Sequence, residues 1–374
     1  MLRFDRRLLQ NFDWIMLLIV VLIAAMGLAN LYSATYQAPG GHAIFMKQVY
    51  VYLAGLLLVA GVICIDYRVL LSWNYPLYTI VILLLVSALL FGKSIVNTQR
   101  WIDLGFFNLQ PSEPAKLMLV ITLASYYYRR DTGTGFSLKE LFIPIMLTLL
   151  PFALIVKQPD LGTAMMLGFV FISITLFVKL KWSTLFILTT STLSCIPVVW
   201  NFFLKPYQRQ RIETFLNPES DPLKSGYHIL QSKIAVGSGL KFGRGYLQGT
   251  QGHLDFLPER HTDFAFSVWA EEWGFIGSAL FLVIYFLLIF WGLNIAVSSR
   301  DKFGVLLAFG IISLIFWQAF INMAMVLGLL PVVGVPLPLF SYGGSSLITT
   351  LVGIGLLMNI RMRRFMTSTH NPQH

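Results

Sequence analysis

The chain has 374 residues, 56% of them hydrophobic and 12% charged. A soluble domain carries about 25% charged residues, so most of this surface is not built to face water. The net charge of +10 comes without basic runs interleaved with exposed aromatics, which excludes a nucleic-acid-binding module and fits basic residues retained on one side of a membrane.

The N-terminal stretch MLRFDRRLLQNFD is basic, and no small-residue cleavage site follows the first apolar run. That run reads as a retained first span rather than a cleaved signal peptide. Crossing the hydrocarbon takes roughly 20 apolar residues. Stretches of this kind lie near 14–34, 47–65, 70–91, 115–128, 142–156, 162–178, 183–203, 266–293, 304–328 and 343–360. The expectation is an all-α polytopic membrane protein with about ten transmembrane helices, forming a single domain over 1–374. The fourth to sixth spans are short enough to tilt or partly re-enter. Cys64 and Cys195 fall in separate apolar runs and read as small membrane-buried hydrophobes with no disulfide framework.

With the N-terminus inside, the inner connections collect Arg3, Arg6, Arg7, Arg68, Arg129, Arg130, Lys139, Lys179, Lys181, Arg300, Lys302, Arg361, Arg363 and Arg364. The short outer connections hold Lys47, Lys93, Arg100, Lys116 and Lys157. This asymmetry predicts both termini in the cytoplasm, and an even number of spans agrees in putting both on one side.

Between the seventh and eighth spans, residues 204 to about 262 form a large extracytoplasmic loop. Long loops in compact architectures are functional or disordered; Tyr207, Phe215, Tyr227, Ile229, Ile234 and Phe256 argue against disorder here. HILQSKIAVGSG, with Ile229, Leu230, Ile234 and Ala235 on one side, predicts a short amphipathic helix on the membrane interface. Two further outer segments, WIDLGFFNLQPSEPAK and LPVVGVPLPLFSYGGSS, are rich in Pro and Gly. Irregular backbone at membrane depth is tolerated only against protein or a water-filled cavity, so both predict a cavity opening outward.

The charge-bearing candidates gather around these segments. DFLPERHTDFAF places Asp255, Glu259, Arg260, His261 and Asp263 within nine residues. Asp263 opens the eighth span, with Thr262 available as its N-cap. It reads either as a carboxylate favoured by the helix dipole or as a general base within reach of a hydroxyl. His261, with an ordinary pKa near 6.5, is the rival base, and Glu259 an auxiliary. Glu271 and Glu272 lie deeper, where carboxylates need partners or water. Glu113 and Lys116, three residues apart, share a helix face as an ion pair or as a polar cavity wall. Asp160 in QPDLG is a helix cap or part of the cavity. Arg209 and Arg211 suit bidentate phosphate binding or ordinary headgroup contact.

No P-loop, dinucleotide or metalloprotease motif is present. Synthesis on the outer face therefore needs a pre-activated substrate, for which a lipid-linked pyrophosphate sugar is suited. RWIDLG, LQPSEPAK, QPDLGT, YQRQRIETFLNPESDPLKSGYHILQSKIAVGSG, LDFLPERHTDFAF and LPVVGVPLPLFSYGGSS, in this order, resemble the SEDS family from first span to last. PESDP, GYHI and LPERHTDF are closer to its elongation (RodA) type than to its division (FtsW) type, while GSGLKFGRG departs from the usual GSGG.

The resemblance implies a peptidoglycan glycosyltransferase that polymerises lipid II into undecaprenyl-linked glycan on the periplasmic side of the inner membrane. Its implied partners are a class B penicillin-binding protein and elongation-complex membrane proteins. Asp263 matches the family's essential acid; Glu113, Lys116, Asp160, Arg209 and Arg211 match its polar and basic motif positions and would bind substrate and pyrophosphate. No dedicated metal ligand set is visible, although Mg²⁺ or Mn²⁺ would suit a pyrophosphate leaving group. The competing readings are a lipid II flippase and a non-catalytic scaffold for a penicillin-binding protein.

Overall fold

The computed structural model of the chain describes residues 11–364 except 96–97, 104, 106–107, 131–132, 134, 204–205, 218–224 and 251–258. Helices occupy all ten predicted spans: α1 (Trp14–Thr35), α2 (Gly41–Cys64), α3 (Leu70–Phe91), α4 (Ser112–Arg129), α5 (Leu138–Lys157), α6 (Leu161–Phe177), α7 (Trp182–Val198), and then α10 (Ala265–Ser298), α11 (Lys302–Val326) and α12 (Gly344–Met362). Among the described residues, seven helices are long and apolar enough to cross a membrane: α1, α2, α3 with the 3₁₀ turn before it, α5, α10, α11 and α12. α6 is apolar but shorter. Leucines and aromatics on the outer faces (Leu57, Leu90, Phe91, Phe286, Phe290) stay exposed, as a lipid-facing surface requires.

Polar residues start several of these helices. Asp13 and Asp301 accept from the amides of Met16 at 3.0 Å and Gly304 at 3.1 Å, and Ser137 and Glu140 form a capping box on α5. α11 and α12 are largely enclosed by other helices, whereas α2 and α3 turn most of their surface outward. Asp13 also pairs with Arg361 at 3.1 Å and takes the indole N–H of Trp291. The two ends of the described chain therefore meet on one face of the bundle.

The all-helical expectation missed one small element. β1 (Lys93–Ile95), β2 (Thr98–Asp103) and β3 (Asn108–Leu109) pair antiparallel in that order between α3 and α4. The strands are too short to show a period among the surrounding apolar residues.

The long loop folds back onto the bundle. It contains α8 (Pro206–Leu216) and α9 (Ser225–Ser238). On α9 the predicted apolar side is divided: Ile229 and Ala235 are buried, while Leu230 and Ile234 face out. Ser232 is fully buried against Ser267 and the carbonyl of Val326. The helix thus packs on protein, with only part of its apolar surface left outside.

Beyond α9, the chain threads into a break in α10. Gly274 sits at φ +63°, outside helical geometry. A Cβ there would come within 2.2 Å of the Gly243 amide nitrogen. The carbonyls of Glu271 and Glu272 accept from the amides of Arg244 and Gly245, both at 3.0 Å. The amides of Phe275 and Ile276 donate to Leu240 at 2.9 Å and Lys241 at 3.1 Å. These four bonds give partners to backbone groups freed by the break, as low-dielectric surroundings demand. Glu271 and Glu272 are buried and partnered: Glu271 accepts from Thr250 at 2.7 Å and lies beside Arg244, and Glu272 accepts from Ser33.

Candidate active site

Asp263 lies in the turn before α10, not in the helix. α10 begins at Ala265 with Phe264 in the cap position and no side-chain cap. Thr262, predicted as that cap, instead donates to Glu259, 3.2 Å from its carbonyl and 2.9 Å from Oε2. A tight 259–264 turn, with Glu259 at φ +55° and its carbonyl also bonded to the amide of Phe264, uses the hydroxyl internally.

This turn is held from two sides. Asn322 on α11 donates 2.8 Å bonds to the carbonyls of both Asp263 and Val335. The carbonyl of His261 accepts from the amide of Tyr342 at 2.9 Å. Both contacts tie the turn to the irregular segment 331–343 between α11 and α12, several of whose carbonyls accept from surrounding side chains. Tyr52 donates to the carbonyl of Leu339, Tyr285 to that of Pro338, Gln48 to that of Ser341, and Arg211 to that of Val332. The Pro- and Gly-rich run thus forms one wall of the site, with Gly334 against the Asp263 carboxylate, where an added Cβ would lie 3.3 Å from Oδ2.

A second wall comes from β2 and the start of α6, whose Gly162 lies against the backbone of Val333. Asp160 caps α6, accepting from the amide of Thr163 at 3.3 Å and its hydroxyl at 2.9 Å. It also takes Gln110 at 3.3 Å and lies 3.9 Å from Arg100, so it serves as cap and site residue together. Arg100 donates to the carbonyls of Gln158 at 2.9 Å and of Pro159.

Burial is the first cause that pushes the Asp263 acid up from 3.8 to about 7. The negative charges of Glu259 and Asp160 push the same way, while Arg211 and Arg100 pull it back. His261, beside Tyr342, is shifted down by burial. The two candidate bases are therefore moved in opposite directions by the same desolvation.

The structure brings Asp263, Glu259, Asp160 and Arg211 into one electrostatic neighbourhood and adds Arg100. Arg100 stood out in the sequence only as one basic residue of an outer connection; β2 and the Gln158–Pro159 carbonyls are what aim it. Of the two arginines on α8, Arg211 reaches the wall at Val332, and Arg209 donates to the carbonyl of Asn201 at 2.8 Å. Glu113 and Lys116 form a buried 2.8 Å ion pair at the start of α4, next to Gln110, whose carbonyl accepts from the Glu113 amide. Asp255 lies outside the described residues. Among the described residues no three His, Cys, Asp or Glu side chains converge as a metal cluster.

The arrangement offers a carboxyl poised to change charge near neutrality, flanked by two guanidinium groups, at one end of a membrane bundle. Residues 13–365 match the family FtsW/RodA/SpoVE, described as cell cycle proteins. The chain is 41% identical to the peptidoglycan glycosyltransferase MrdB of Escherichia coli K12, over 96% of this chain and 95% of that one. It is 33% identical to the peptidoglycan glycosyltransferase RodA of Treponema pallidum, over 95% and 98%. Among solved structures it is similar to a chain of a peptidoglycan synthase complex that coordinates polymerization and crosslinking, with TM-score 0.82, 34% identity and coverage of 95% and 99%. The rod shape determining protein RodA of Thermus thermophilus matches with TM-score 0.69, 30% identity and coverage of 95% and 98%.

Proposed function

The chain belongs to the FtsW/RodA/SpoVE family, and from that premise we propose that it is a peptidoglycan glycosyltransferase polymerising lipid II during cell elongation. The observation that carries the mechanism is the Asp263 carboxyl, whose acid is pushed to about 7 between Arg211 and Arg100. A general base works best when its pKa lies near the operating pH. Asp263 takes the proton from a GlcNAc hydroxyl of the acceptor. That oxygen attacks the anomeric MurNAc carbon of the growing strand with inversion, the bond to the pyrophosphate oxygen breaks, and undecaprenyl pyrophosphate departs. Arg211 and Arg100, backed by Arg209 and Lys116, stabilise the charge developing on that leaving group. Asp160 holds Arg100 in place, and Glu113 holds Lys116. Glu259 tunes Asp263 through its charge. Mg²⁺ or Mn²⁺ held through the pyrophosphate would supply further charge stabilisation to the same leaving group.

The reading places the protein in the bacterial inner membrane with both termini cytoplasmic and Asp263 facing the periplasm. The support is the distribution of basic residues. Arg68, Arg129, Arg130, Lys179, Lys302 and Arg361 belong to the end of the bundle away from Asp263, where positive charge is retained during insertion. A class B penicillin-binding protein is the proposed partner, with other elongation-complex membrane proteins, since the chain is similar to one from a complex that couples polymerization to crosslinking.

The test is to reconstitute the purified protein in liposomes with lipid II, alone and with a class B penicillin-binding protein. Glycan polymer with release of undecaprenyl pyrophosphate is the expected product. Flipping of lipid II without polymer, or polymer only from the partner, contradicts the reading.

A further inference from the structure

The segment GSGLKFGRG, which follows α9, exposes apolar side chains in the middle of what the sequence reads as an extracytoplasmic loop. Leu240 is 78% exposed and Phe242 79%. The backbone of this turn is bonded to Phe275 and Ile276 of α10, whose side chains are also exposed. Tyr246 and Trp273, with ring centroids 6.3 Å apart, stand partly exposed beside them. The patch runs on along α10 at helical spacing through Leu280, Val283 and Leu287, all exposed.

Leu240 lies in the left-handed region at φ +48°, where glycine is favoured. This is the position at which GSGLKFGRG departs from GSGG. The chain keeps a leucine where glycine is suited and turns it away from the core.

Depth along the helices identifies what this surface meets. Asp13 pairs with Arg361 and accepts from the indole of Trp291, so the start of α1 and Trp291 of α10 mark one level at the edge of the bundle away from Asp263. From Trp291 to the break at Gly274, α10 is about 26 Å long at the helical rise. From Asp13 to Ala29, α1 is about 24 Å long, and the Ala29 carbonyl accepts from the Tyr246 hydroxyl at 3.3 Å. Both lengths fall short of the roughly 30 Å of bilayer hydrocarbon, and tilt shortens them further. The turn sits within the leaflet nearer Asp263, not above it.

Its backbone suits that depth. Gly243 donates to the carbonyl of Gly239 at 2.8 Å, and residues 240, 241, 244 and 245 exchange bonds with α10. Irregular backbone is tolerated in a leaflet where protein satisfies it. Arg244 is drawn back to Glu271 and Thr250, and the stem of Lys241 is long enough to snorkel to the headgroups.

We infer that the turn 240–246 is an interfacial anchor, inserted among the acyl chains of the leaflet nearer Asp263 through Leu240 and Phe242. It pins the stretch from α9 to the Asp263 turn at the membrane surface. Calling that leaflet periplasmic rests on the orientation proposed above; the insertion does not.

The test places a nitroxide label at Phe242→Cys, and separately at Leu240→Cys, in the full chain carrying Cys64→Ala and Cys195→Ala. Both sites are exposed, so neither substitution removes a core contact. The protein is reconstituted in liposomes of phosphatidylcholine and phosphatidylglycerol without a partner. Each label is read by its collision rates with oxygen, which concentrates among acyl chains, and with a water-soluble nickel chelate present on both faces. Labels at Phe286→Cys, on the outward side of α10, and at Lys139→Cys, in an exposed connection, are the lipid and water references. Both turn labels should give an oxygen-to-nickel ratio several-fold above the Lys139 label and close to the Phe286 label. A ratio at the Lys139 level at either site overturns the proposal. So does a ratio that rises only when a class B penicillin-binding protein is added, because the patch would then be a protein-docking surface. Neither readout depends on polymerisation, so the anchor and the proposed activity fail separately.

Discussion

Asp263 is pulled two ways by its neighbours, and each pull predicts a direction. Glu259→Gln removes a negative charge that raises the acid, so the acidic limb of the polymerisation pH profile should move to lower pH. Arg100→Gln removes a positive charge that lowers it, so the limb should move up. For partly solvated charges the shift is roughly half a unit. The shape of the profile is the readout, because Arg100 is also proposed to serve the leaving group, so its loss should lower the overall rate. Limbs that stay in place, or move together, would remove Asp263 as the group being titrated. The same shift bears on stability. A folded value of about 7 against an ordinary 3.8 means that the folded state holds the proton more tightly. The stabilisation is complete below about 3.8 and is lost as pH rises to about 7. Replacing Asp263 with neutral Asn removes that loss, so the variant should be no less stable than the parent above neutrality.

At the scale of elements, the site depends on how the 331–343 segment is held between α11 and α12. Asn322 donates to the carbonyls of both Asp263 and Val335. Asn322→Ala leaves two carbonyls without that donor, at about 1–3 kcal/mol each. Polymerisation should fall by more than tenfold and the thermal midpoint should drop, with membrane insertion intact; parental activity at a parental midpoint would contradict this role. The presence of this wall was legible in LPVVGVPLPLFSYGGSS, because Pro and Gly at membrane depth require outside partners. The identity of those partners was not, since Tyr52, Gln48, Tyr285 and Asn322 come from distant helices. The Thr262 cap and the single apolar side of α9 failed for a related reason. Both were argued from local pattern, and in each case a tertiary contact claimed the residue: Glu259 took the Thr262 hydroxyl, and packing against Ser267 and Val326 set the buried side of α9. Arg100 was visible only as a charge until β2 and two carbonyls gave it a direction.

Over the whole molecule, α4, α6 and α11 link the two ends. Their Ser112, Leu161 and Val326 ends lie toward the Asp263 site, and their Arg129, Phe177 and Lys302 ends lie away from it. Hydropathy located all of these helices to within a few residues, because roughly 20 apolar residues per crossing is a strong constraint. It left open whether Asp263 is a helix-dipole partner or a base; the charges contributed by α6, α8 and β2 support the proposed base. The central claim is that this carboxylate takes the acceptor's proton. It is tested most directly by the rate of glycan polymerisation from lipid II by the purified Asp263→Asn protein at neutral pH, beside the parent. The account predicts a loss of about a hundredfold or more in a variant that remains folded; polymerisation within about threefold of the parental rate would contradict it.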